Sequence, residues 1–238
     1  MKKLIILLCL IFIPALTASD TSTYVLAVSG QDAGGGATYL INQNFEGTGF
    51  DNSESWTEST YHTDPDFSSV ALRGSQSLLV GNPAGVGEGI VTSPTFSESG
   101  EVFGHFLYRP YLIVPSAQYF FDLLGGGTTI FRIYQNANGT MAIRVGSTFV
   151  SYTSTALSAD TTYHIWFHFK TGTGANAEGR LWIGSTTSRP ETAELTTTSG
   201  TATANVDNAR FYNADPAENG VLVDQVLLST SEFTSVDS

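Results

Sequence analysis

Cysteine is nearly missing from this 238-residue chain, and its single copy, Cys9, lies in an apolar run near the start. No internal disulfide can form, so packing must hold the fold, and a chain of this size can build the core for it. Long apolar runs are missing too. Residues 4–13 are too few for a stable membrane span, which needs roughly 20 apolar residues. No later stretch approaches that length, so no transmembrane segment is expected. Basic residues are scarce, at 10 against 22 acidic, for a formal charge of −12. An excess of that sign repels nucleic acid and anionic membranes, so no nucleic-acid partner is expected and polyanion binding is disfavoured. Capped segments with helical periodicity are also lacking, which excludes a helical fold.

Lys2 and Lys3, the apolar stretch 4–13, Pro14 and the small residues 15–19 have the order of a secretory signal peptide cut after Ala18 or Ser19. The expected organisation is therefore a signal peptide over residues 1–19 and a protein exported to the cell surface or beyond. Cys9 follows large leucines where a lipid-attachment signal wants small residues, so it reads as apolar filler. Without Lys2 and Lys3 the basic count falls to 8 against 22 acidic, a formal charge of −14.

What is plentiful is Gly (24 residues), Ser, Thr and aromatics, with 15 Phe and 10 Tyr. Runs of β-branched and aromatic residues recur between Gly, Asn, Pro and Ser, which is strand and turn patterning. Twelve strands are expected, near residues 38–45, 76–80, 89–94, 101–114, 118–124, 129–135, 140–145, 148–152, 162–170, 178–185, 208–213 and 220–229. Glycine-rich turns at 125–127, 136–139 and 146–147 predict a central antiparallel meander. Twelve short strands cannot share one flat sheet, so the fold class is all-β, a two-sheet antiparallel jelly-roll sandwich. Residues 20–38 stand apart as a flexible N-terminal segment, in which 24–28 can form an edge strand that pairs with a neighbouring molecule.

The run Leu40-Ile41-Asn42-Gln43-Asn44-Phe45-Glu46-Gly47 resembles the opening strand of concanavalin A-like, laminin-G-like jelly-roll domains. Asn208 to Asn213 and Val221 to Ser229 resemble the closing pair of strands of that group, and Thr161 to Phe167 with Gly179 to Gly184 its central hairpin. The resemblance spans residues 39–234 and implies a jelly-roll domain over 39–238 with a concave sheet face that often binds glycans. Glucan-cleaving members carry a row of alternating carboxylates, and alginate lyases carry a Gln-Ile-His or Gln-Val-His triplet; this sequence has neither. Its carboxylate pairs Asp51/Glu54, Asp64/Asp66 and Glu191/Glu194 fall in loop-like stretches. Nucleophile-elbow, zinc-helix and phosphate-loop motifs are missing as well.

Strand alternation places His164, Trp166 and His168 on one face, with Ile165, Phe167 and Phe169 on the other. An indole stacks on sugar rings and imidazoles bond hydroxyls, so Trp166, His164 and His168 are the candidate ligand-binding residues, joined by His105 and Arg109 if the face those two share meets this one; Arg109 can instead pair with a loop carboxylate. Arg132, Tyr134 and Trp182 are possible additions. The resemblance also implies a structural calcium ion held by Glu46 and Asp224, whose oxygen ligands suit that ion. The function expected from the sequence is a non-catalytic extracellular module that binds a neutral or weakly basic carbohydrate of a surface or matrix polymer. Two alternatives stand beside it: a self-associating structural or adhesive protein, and a glycan-cleaving enzyme with an atypical site.

Overall fold

Strands that alternate aromatic and polar residues can satisfy both faces at once only when sheets stack, and two sheets stack here. The computed structural model describes residues 39–46, 56–58, 67–68, 70–81, 89–113, 116–213 and 220–237. The expected signal peptide over residues 1–19 with Cys9, the segment 20–38 with its expected edge strand, and Asp51, Glu54, Asp64 and Asp66 lie outside the described residues.

In chain order the strands are β1 (Tyr39–Gln43), β2 (Thr57–Glu58), β3 (Phe67–Ser68), β4 (Ser77–Val80), β5 (Gly89–Thr92), β6 (Glu101–Pro110), β7 (Gln118–Gly125) and β8 (Thr128–Gln135). There follow β9 (Met141–Val145), β10 (Thr148–Val150), β11 (Tyr163–Lys170), β12 (Ala177–Gly184), β13 (Leu195–Gly200), β14 (Asn208–Asn213) and β15 (Val221–Ser229). One sheet has eight strands in the order β13-β12-β11-β6-β15-β4-β3, with β1 also on β15. The other has seven, in the order β10-β9-β8-β7-β14-β5-β2. Every pairing is antiparallel. No helix occurs among the described residues, so none there could cross a membrane as a helix.

The expected meander is β7 to β10. The turn between β7 and β8 uses Gly126 and Gly127, both at positive φ (56° and 77°), the backbone a two-residue hairpin with matching twist requires. Three strands go beyond the expected twelve. Of these, β13 lies in a Thr-rich stretch that reads as loop, yet Leu195 and Thr197 turn inward while Thr196 and Thr198 face solvent. Threonine carries the alternation there, and its polarity hides the strand.

Between the sheets lies a phenylalanine cluster. Phe106 of β6 meets Phe121 of β7 at 5.1 Å and Phe211 of β14 at 5.2 Å. Phe167 of β11 meets Phe121 at 4.9 Å and Phe131 of β8 at 5.6 Å. All five rings are fully buried, and each such ring contributes more than its area alone through edge and offset contacts. Tyr108 of β6 adds a polar tie, donating to Gln135 Oε1 of β8 at 2.8 Å within the core.

Strand β15 runs through the middle of the larger sheet, with all nine residues buried. It pairs with β6 on one edge, and with β4 and then β1 on the other. Its ladder to β6 slips between Asp224 and Leu227, where Gln225 adopts a φ of 46°. That bulge lets one long strand serve three partners.

Gly104 of β6 faces the Phe167 ring so closely that any Cβ would overlap it. Gly104→Ala is expected to lose about 1–3 kcal/mol of stability by overpacking. Urea denaturation checks this.

Candidate functional site

The two strands expected to carry the ligand site are neighbours. Trp166 lies opposite His105, His164 opposite Leu107 and His168 opposite Phe103, so these residues share the outer face of the eight-stranded sheet. That face is covered. Trp166 is 1% exposed, His105 0% and Trp182 4%, and the indoles form a second small core with Leu227 and Val236, against which Phe233, Tyr39 and Ala193 pack. The chain after β15 is pinned over them. Arg189 N donates to Thr234 O (2.8 Å), Val236 N donates to Thr187 O (2.9 Å), and Arg189 pairs with Glu232 while lying 4.5 Å over the Trp182 ring.

Several polar groups of this face are taken up by protein partners. His105 Nε2 lies 3.0 Å from His164 Nδ1, His168 Nε2 2.9 Å from Glu101, and Arg109 pairs with Asp160 at 3.1 Å. Burial, and next its histidine neighbour, hold the His105 pKa well below the usual value. Burial and then Arg73 lower that of His164. For His168, burial outweighs the raising effect of Glu101. The five residues thus share one face, but that face is largely interior, and Trp166 has no free ring surface to offer a sugar. Of the possible additions, Trp182 belongs here, whereas Arg132 and Tyr134 stand on the other sheet.

Glu46 and Asp224 also converge, on the loop 72–77, but the groups they face are donors. Asp224 accepts from Arg73 N (2.9 Å), Ser77 Oγ (2.9 Å) and Gln225 N (2.7 Å). Glu46 accepts from Ser75 N through both oxygens and from Ser75 Oγ. Backbone N–H groups aimed at both carboxylates repel a cation, so these residues do not fit a calcium site. No metal-binding group of three or more His, Cys, Asp or Glu occurs among the described residues. Burial raises the Asp224 pKa to about 6, against its hydrogen bonds and with Glu46 adding to the rise.

The outer face of the seven-stranded sheet is built differently. Inward-facing Phe121, Phe131 and Phe211 force their neighbours Asp122, Arg132 and Arg210 outward, because successive side chains on a strand alternate. Register then aligns a transverse row: Phe149 opposite Arg144, Arg144 opposite Arg132, Arg132 opposite Asp122, Asp122 opposite Arg210. Beside it Tyr134 lies opposite Tyr119, and Tyr119 stacks on Tyr212 at 4.5 Å.

Asp122, fully buried beneath its partners, organises the row. Arg132 grips it with two bonds (Nε to Oδ1 2.5 Å, Nη2 to Oδ2 2.9 Å), and Arg210 Nη2 reaches Oδ2 at 2.5 Å. Paired N–H donors on one carboxylate are the strong form of this contact. Burial works to lower the Arg132 pKa, but hydrogen bonding to Asp122 wins and raises it, so the guanidinium stays charged. Arg132 also lies 3.7 Å over the Tyr119 ring.

Arg144 is different again. It has no acidic partner among the described residues, and it lines an open depression of about 480 Å³ together with Thr128, Thr129, Ser147, Thr201 and Thr203. Three guanidiniums and one carboxylate leave the row with a surplus of two positive charges on a chain of net −12. That surplus is local, and a ligand at this face meets the local field as well as the total charge.

No protein-family model matches the chain, and no curated protein matches its sequence. Solved structures match its fold. An endo-β-1,4-glucuronan lyase from the fungus Trichoderma reesei aligns over 82% of this chain and 96% of its own at 15% identity, with a TM-score of 0.56. A marine PL-14 alginate lyase from Aplysia kurodai covers 82% and 100% at 8% identity, with a TM-score of 0.53. The globular domain of T. cruzi calreticulin covers 82% and 89% at 9% identity, with a TM-score of 0.50. The all-β, two-sheet jelly-roll sandwich is thereby established, and it is shared with polysaccharide lyases.

These findings correct the expectation of a non-catalytic binding module. The face it relied on is buried, and the fold is one that lyases of acidic polysaccharides use. The expectation that the chain is not an enzyme falls with it: the missing triplet motif excludes one arrangement of lyase residues, and arginine and tyrosine stand on this sheet regardless.

Asp122→Ala leaves two guanidiniums without their counter-charge and is expected to cost about 3–5 kcal/mol, read from urea denaturation. Asp224 gives a pH signature. Its folded pKa lies above the ordinary 3.8, so the folded state binds the proton more tightly and stability falls as pH rises from 3.8 through about 6. Across that window the unfolding midpoint of Asp224→Asn is expected to gain on that of the unaltered protein as pH rises.

Proposed function

We propose that the protein is a secreted polysaccharide lyase that cleaves a uronic-acid polymer by β-elimination on the outer face of the seven-stranded sheet. The observation that carries this reading is Arg144, an unpaired guanidinium in the same row as Arg132, Asp122 and Arg210 and beside the phenols of Tyr119 and Tyr134. A guanidinium binds a carboxylate through two parallel hydrogen bonds. Neutralising the uronate carboxylate makes the proton on the adjacent carbon removable, which is the difficult part of the reaction.

The remaining groups then have defined work. Tyr134, whose ring lies 5.9 Å from the Arg132 guanidinium carbon, takes that proton as the phenolate and becomes the phenol. The electron pair left behind forms a carbon–carbon double bond as the neighbouring glycosidic C–O bond breaks, and the departing oxygen recovers the proton from a tyrosine. Nothing is oxidised or reduced, and no water is consumed. Hydrolysis fits less well, because it needs two carboxylates roughly 5 to 9.5 Å apart. The row holds one, Asp122, and both its oxygens are taken. The likeness to glucuronan and alginate lyases supports the substrate class, and residues 1–19 support secretion.

The test is ultraviolet absorbance of the unsaturated sugar end formed from glucuronan and from alginate, with a neutral glucan as control. Product is expected from a uronate polymer only; none from any uronate polymer sinks the reading. Arg144→Ala should lower kcat/KM by about 100- to 1,000-fold. Tyr134→Phe should lower kcat by about 100-fold or more with little change in KM.

A further inference from the structure

Phe149 and Tyr152 are 49% and 44% exposed, two of the four large hydrophobic side chains so exposed among the described residues. They touch, with ring centroids 6.0 Å apart at 74°. Phe149 also meets Tyr134 at 5.6 Å, Tyr134 meets Tyr119 at 6.1 Å, and Tyr119 stacks on Tyr212. The result is a continuous file of five rings across the outer face from edge strand β10 to β14. Four inter-strand steps of about 4.8 Å make it about 19 Å long, enough for several linked sugars.

The exposed pair is held in place. Glu194 accepts from Ser154 N and Oγ and from Thr155 N and Oγ1, and Thr153 N donates to Met141 O at 2.7 Å, so the loop after β10 is anchored at residues 153–155, directly beyond Tyr152. Burial pushes the Glu194 pKa up, but those hydrogen bonds outweigh it and hold the carboxylate below its usual value. Ordering two aromatic rings in water without covering them favours a partner that brings an apolar face of its own. Phe149 lies directly across from Arg144. A uronosyl unit whose carboxylate meets that guanidinium therefore sets the next ring of its chain beside Phe149.

We infer that Phe149 and Tyr152 form an outer subsite that stacks on sugars beyond the cleaved bond, so that the polymer lies across the strands, perpendicular to them. This rests on the uronate-lyase reading. A subsite remote from the reacting bond strengthens binding of long chains more than that of short ones.

The experiment compares Phe149→Ala/Tyr152→Ala with the unaltered protein on polymeric uronate and on a uronate trisaccharide. Both residues are exposed, so the melting temperature should not move. For the polymer, KM is expected to rise about ten-fold with kcat within about two-fold, while kcat/KM on the trisaccharide, which occupies less of the ring file, falls by a smaller factor than on the polymer. An unchanged polymer KM overturns the subsite. So does dissociation of a dimer by the double substitution in sedimentation analysis, which would make the pair a self-association surface. Electrophoresis through gels containing the polymer separates the two proposals. If no polymer is cleaved yet the unaltered protein is retarded and the double variant is not, the lyase reading fails and the subsite stands; if neither is retarded, the subsite falls.

Discussion

The structure depends on the phenylalanine contact between the two sheets. With no disulfide available, Phe106 and Phe167 from one sheet and Phe121, Phe131 and Phe211 from the other supply the aromatic centre of the fold. The same contact fixes the chemistry of the surface. Because side chains alternate, a ring committed inward at 121, 131 and 211 commits Asp122, Arg132 and Arg210 outward at matching heights. A register slip of one residue would bury three charges and expose three rings, so the core enforces the alignment of the row.

Asp122 makes that alignment electrostatically tolerable. Two arginines on strands flanking β7 would repel each other; the buried carboxylate between them converts repulsion into a cross-link over three strands. The arrangement leaves Arg144, one strand further out, free of any such partner. A strongly acidic chain thus presents a locally cationic strip, with tyrosines alongside it.

Much of the fold was legible. Alternation gave the central strands and the Gly126-Gly127 turn gave the hairpin, whereas the meeting of the His105 face with the His164 face was open in the sequence and needs the β6–β11 register. Which face meets solvent was not legible, since it depends on residues 230–237 folding back over Trp166 and Trp182, and those residues show no apolar periodicity. The arginine row was hidden for another reason: its members come from 122, 132, 144 and 210, and only strand order brings them together. One local signal did exist. Arg132-Ile133-Tyr134 and Arg210-Phe211-Tyr212 repeat the same order of guanidinium, core residue and phenol on the two strands beside β7. The donors around Glu46 and Asp224 were not legible either, because the resemblance supplied carboxylates and said nothing of the backbone N–H groups facing them.

The positions of the tryptophans have an optical consequence. Trp166 and Trp182 lie under the folded-back chain end, and Trp56 packs in the core against Phe45 and Phe211. None stands on the arginine face. Intrinsic indole emission therefore reports on whether residues 230–237 remain clasped to the eight-stranded sheet, and a saccharide settling on the opposite side of the sandwich should leave that light almost unaltered.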